Sequence, residues 1–107
     1  SRPCSGSEHL FSHALDLIAP GKGLHGEKCG IGTILMAKLH NLDWERIKIA
    51  LENIGAPTRI RDIGISRDEA IKALLLAPRL RERYTILHKI NLSKEDTLKL
   101  IVDTGVD

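Results

Sequence analysis

The apolar residues of this chain recur at intervals of three and four, and nowhere do they alternate convincingly with a period of two. That pattern puts one face of a helix against a core and gives strands nothing to pair on. Leu10, Ala14, Leu17 and Ile18 mark a first helix, capped by Ser5 or Ser7, with Glu8 completing a capping box with Ser5. Ala19-Pro20-Gly21-Lys22-Gly23 stops it. A second helix is expected from His25 or Gly26 to His40. Its Gly26, Gly30 and Thr33 put small residues on one side, which suits close approach by another backbone. Asp43 caps a third helix through Trp44, Ile47, Leu51 and Ile54, closed by Gly55 at the C′ position. Residues 56–65, with Pro57, make an irregular connection. Ser66 with Glu69 opens a helix carrying Ile71, Leu74 and Leu75, which Pro78 ends or restarts. Ser93 with Asp96 begins the last, with Leu98, Ile101 and Val102, closed by Gly105. The expected fold is all-α, a bundle of about five helices forming one domain over residues 1–107.

Composition supports this. Aromatics are 3% of the residues, so a core must come from Leu, Ile and Ala, which favours helix packing over a β-sandwich. A chain of 107 residues has room for one modest core. The net charge of +2 and the lack of a basic run interleaved with aromatics argue against a nucleic-acid partner. A helix-turn-helix binder using Arg59, Arg61, Arg67, Arg79, Arg81 and Arg83 is disfavoured because acids are scattered among them. No apolar run approaches the ~20 residues of a membrane span, and no basic-then-apolar leader is present. Cys4 and Cys29 form no CxxC pair, so a reducing cytoplasm is the expected location. The opening Ser1-Arg2-Pro3 lacks an initiator Met and reads as the middle of a longer polypeptide.

The chemistry lies in the histidines. His9 and His13 are four apart on the first helix, hence on one face, and His25 opens the second helix after a short loop. Two histidines and a carboxylate make a catalytic zinc set with an open position, but spacing alone does not bring His25 back to His9. There is no HExxH motif. Glu27 points nearly opposite to His25 and reads as a first-turn acid that complements the helix dipole. Cys29 reads as a small buried hydrophobe, and His40 and His88 as surface or capping residues. Gly21-Lys22-Gly23 has neither the length nor the following Ser/Thr of a phosphate loop. From these residues alone, a helical interaction module with packing histidines stays open.

Residues 6–16, with His9 and His13, and residues 25–33, His25-Gly26-Glu27-Lys28-Cys29-Gly30-Ile31-Gly32-Thr33, resemble the paired-helix motif of one superfamily. It comprises the iron- or zinc-dependent polyol dehydrogenases and dehydroquinate synthase. Ile54-Gly55-Ala56-Pro57-Thr58, Glu82-Arg83-Tyr84-Thr85-Ile86-Leu87 and the ending around Thr104-Gly105-Val106 are similar to its sn-glycerol-1-phosphate dehydrogenase branch. The resemblance implies that the chain is the helical C-terminal domain of a two-domain enzyme whose α/β nucleotide-binding domain is absent. It implies His9 and His25 as metal ligands, His13 as the catalytic, substrate-contacting residue, and a third ligand, an Asp, upstream of Ser1. It also implies zinc and NAD(P) as cofactors, with NAD(P) held mainly by the missing domain. The implied reaction is reduction of dihydroxyacetone phosphate to sn-glycerol 1-phosphate for archaeal-type ether phospholipids, by a homo-oligomer when intact. The chain alone is expected to be inactive. In the same superfamily, oxidation of unphosphorylated polyols by a glycerol dehydrogenase is the rival activity. Cys29 stands where that family is expected to carry an apolar residue.

Overall fold

A computed structural model describes residues 7–79 and 92–107. Among them every regular element is helical: α1 (Ser7–Ile18), α2 (His25–Leu39), α3 (Trp44–Asn53), α4 (Arg67–Leu76) and α5 (Lys94–Asp103). Two short 3-10 turns, Ile60–Ile63 and Ala77–Arg79, join α3 to α4 and extend α4. The expected all-α class therefore holds. The Ser5–Glu8 capping box, Cys4, His88 and the stretch 82–87 lie outside the described residues or side chains.

The helix ends follow from local chemistry. The Asp43 carboxylate accepts from the Arg46 N–H at 3.3 Å, and the Ser66 and Ser93 hydroxyls accept from Glu69 N–H and Asp96 N–H. Glu69 and Asp96 reach back to the Ser66 and Ser93 amides, completing both boxes. At the C-terminal end of α3 the Gly55 N–H bonds Glu52 O and the Ala56 N–H bonds Leu51 O, a Schellman pair with Gly55 at φ +79°. α2 ends in the same pair of bonds at Asn41 and Leu42, with Asn41 at φ +58°, and α5 at Gly105 and Val106.

The core is aliphatic apart from Phe11. Phe11, Leu15, Ile31, Ile34, Leu35, Met36, Ile60, Leu74, Ile101 and Val106 are its largest fully buried hydrophobic side chains. α1 and α2 pack together, α4 covers α1, α3 lies along α2, and α5 packs on α4 and α2. The buried faces are rotated from the expected ones in places. Leu17 is 56% and Ile54 77% exposed, and Val102 also faces outward, while Phe11, Leu15 and Leu100 fill the interior. Periodicity tolerates either register where apolar residues stand side by side, and the neighbouring helices choose.

Among the described residues no backbone closes on the small-residue side of α2: a Cβ on Gly26 would meet none of them within 4 Å, and one on Gly30 would touch the Leu51 side chain at an ordinary 3.6 Å. Residues 56–65 are more ordered than expected. The Ile60 N–H bonds Val106 O at 2.8 Å, which ties the turn to the chain's end, where Arg67 also pairs with Asp107.

Candidate metal centre

The loop between α1 and α2 determines which histidines meet. Ala19 N–H bonds Leu15 O, and Gly23 sits at φ +72° beside Ile63; a Cβ there would lie 3.1 Å from Ile63 Cβ. Lys22 pairs with Glu69 on α4 at 3.2 Å, pinning the loop from outside. The chain thereby folds back so that the first residue of α2 lies beside the middle of α1. Ser12, fully buried on α1, has its Oγ 3.2 Å from His25 Nδ1. Lys28, 4% exposed, forms an ion pair with Asp16. The Glu27 carboxylate accepts from Leu24 N–H at 2.8 Å, which occupies it in capping the helix.

In consequence the rings of His9 and His25 stand 5.6 Å apart between centroids, inclined at 60°. Cys29, one turn beyond His25, places its Sγ 3.4 Å from His25 Nε2. One donor atom from each of His9, His25 and Cys29 falls within 4.8 Å of the others. His9 and His25 are exposed and Cys29 is half-buried, so the cluster opens to solvent. His13 follows His9 by one turn on α1 and is also exposed. His40 stands apart as the C-cap of α2, its Nε2 enclosed without a hydrogen-bond partner among the described residues.

The donor set fits a divalent transition metal. Imidazole nitrogens and sulfur are ligands that zinc prefers, and a ligating histidine usually donates its other ring N–H to an oxygen acceptor, the place that the Ser12 hydroxyl holds against His25. In the tautomer whose Nδ1 proton is donated to Ser12 Oγ, the Nε2 lone pair of His25 faces Cys29 Sγ and is available to a metal. The place of Cys29 beside the two histidines escaped the sequence, although its i, i+4 spacing from His25 was visible; a lone helical cysteine is usually a core residue.

No family profile matches the chain. Among curated proteins it is 60% identical over 107 residues to a glycerol-1-phosphate dehydrogenase [NAD(P)+] of Cenarchaeum symbiosum. It is 56% identical to the protein of that name from Nitrosopumilus maritimus and 54% to that of Thermococcus sibiricus. In each case the match covers 99% of this chain but only 30–31% of the relative. The chain thus matches these relatives along nearly its whole length while spanning about three tenths of theirs.

Proposed function

We propose that this chain is the metal- and substrate-binding helical segment of an NAD(P)-dependent glycerol-1-phosphate dehydrogenase, acting in the cytoplasm as part of a homo-oligomer. The reaction is reduction of dihydroxyacetone phosphate to sn-glycerol 1-phosphate, a step toward ether phospholipids. The observation that supports this most is the meeting of His9 and His25 across two helices, in a segment 60% identical to an enzyme of that name. His9 and His25 hold zinc through neutral imidazole nitrogens. Bound there, zinc supplies Lewis acidity at the substrate's reacting oxygen.

The chain's own residues do the rest of the local work. Ser12 fixes the ring of His25 and its tautomer. The Asp16–Lys28 pair and the pinned loop hold α2 at the position where His25 faces His9. His13, exposed on the same face of α1 as His9, hydrogen-bonds a substrate hydroxyl and, in the direction of reduction, relays a proton from solvent to the oxygen that becomes the new hydroxyl. NAD(P) is held by the part of the enzyme beyond this segment.

The test is steady-state turnover of the full-length enzyme with dihydroxyacetone phosphate and NADH or NADPH, before and after chelation and zinc repletion. Turnover that falls on chelation and returns with zinc is expected, with unphosphorylated dihydroxyacetone a much poorer substrate. Undiminished turnover by thoroughly metal-stripped enzyme sinks the metal role, and a preference for the unphosphorylated ketone sinks the substrate.

A further inference from the structure

We infer that Cys29 is itself a metal donor, so that this segment supplies a His9–His25–Cys29 set to a thiophilic cation rather than two histidines alone. The inference rests on the metal role proposed above and adds a third protein ligand to it. A tetrahedral zinc with nitrogen at about 2.0 Å and sulfur at about 2.3 Å separates those two donors by roughly 3.5 Å. The Cys29 Sγ to His25 Nε2 distance is 3.4 Å, so that edge of the tetrahedron is already in place. It follows from helix geometry: residues 25 and 29 are one turn apart on α2 and share a face. The opposite ring nitrogen of His25 is occupied by Ser12, which directs Nε2 to the thiol. His9 completes the third corner from another helix, within 4.8 Å of both donors. The solvent side then keeps a position for the substrate oxygen, and zinc can expand to five-coordinate where a donor from elsewhere in the enzyme also binds.

A thiolate donor changes what the site binds. Sulfur and imidazole together favour zinc over hard cations such as magnesium, and coordination takes the thiolate, releasing the thiol proton to solvent.

The test uses the full-length enzyme with cobalt(II) or zinc(II) as the only added metal. In the cobalt-loaded protein, a thiolate-to-cobalt charge-transfer band in the near ultraviolet is expected beside the visible ligand-field bands. Cys29→Ser removes the charge-transfer band, keeps the ligand-field bands and weakens zinc binding at least about 100-fold, beyond what losing an outer contact usually costs. In the unsubstituted enzyme, zinc slows alkylation at Cys29, located by peptide mass spectrometry, by roughly tenfold or more, as burial of a thiolate in a metal bond requires. Visible cobalt bands with no charge-transfer band, a band that survives Cys29→Ser, or alkylation indifferent to zinc each overturn the cysteine ligand and leave the histidine pair standing. Loss of all cobalt uptake in His9→Ala together with His25→Ala is expected; full uptake in that double variant overturns the site as a whole.

Discussion

The hydroxyl of Ser12 lies 3.2 Å from Nδ1 of His25, so a buried side chain in the middle of α1 determines how the first residue of α2 presents its other nitrogen. Replacing Ser12 by Ala removes that bond without touching a proposed ligand. We expect zinc affinity to fall roughly 10- to 100-fold, as for other outer contacts to ligating histidines, while helicity is retained. Zinc content by mass spectrometry and circular dichroism measure the two separately; Ser12→Thr restores affinity if its hydroxyl reaches the ring. Unchanged zinc affinity in Ser12→Ala means the contact does not orient the ligand.

His9→Ala and His25→Ala are expected to lose metal and activity together. His13→Ala is expected to keep the metal and lose about 10²- to 10⁴-fold in kcat, the range for a positioned proton-transfer group. Metal analysis beside steady-state kinetics decides. A metal-poor His13→Ala enzyme contradicts its substrate role.

Gly23→Ala combines a positive φ with a Cβ 3.1 Å from that of Ile63. The backbone term alone costs about 1–2 kcal/mol, and the loop must shift to relieve the contact. Because this loop delivers His25 to His9, lower metal occupancy should accompany a lower thermal midpoint. A destabilised enzyme with full metal occupancy would show that the loop does not set the histidine geometry.

Lys28 is a buried cation whose partner Asp16 is 46% exposed on its side chain. Asp16→Ala leaves that cation uncompensated, and we expect about 1–2 kcal/mol of destabilisation, less than the 3–5 for a fully buried pair. Lys28→Met, which replaces the charge with an apolar chain of similar length, should cost less than Asp16→Ala in urea unfolding. The reverse order would assign the stability to the Lys28 charge itself.

Three carboxyls should make stability fall in acid. Asp107 is held below the usual carboxylate range by its hydrogen bond to Arg67, Glu69 by the Ser66 amide, and Asp96 by the Ser93 amide. A depressed folded-state pKa contributes stability above the ordinary carboxylate value and loses it as pH falls through the lowered one. Urea midpoints should therefore hold near neutrality and decline below the ordinary carboxylate range. Asp107→Asn should be less stable at pH 7 and show a shallower acid decline; an unchanged decline removes Asp107 from the account.

Much of the fold was legible because its signals are local. Ser66 with Glu69, Ser93 with Asp96, Asp43, and Gly55 each satisfy backbone groups within a few residues, so their effect survives without knowing the rest of the molecule. The outward turn of Leu17 and Val102 was not legible, because adjacent apolar residues offer two registers and only the packing partner selects one. The 3-10 turn at Ile60–Ile63 escaped for the same reason, since its anchor, Val106, lies far along the chain.

From the sequence alone came the helices, their ends, and the face on which His9 and His13 stand, because each follows from hydrogen bonds and side-chain spacing within one or two turns. Only the tertiary structure brought His25 and Cys29 to His9. That meeting requires a loop folded back on Ile63 and pinned by Glu69, with Ser12 buried against the imidazole. Those contacts join residues 13 to 47 positions apart, and no local pattern encodes where a chain will return to itself.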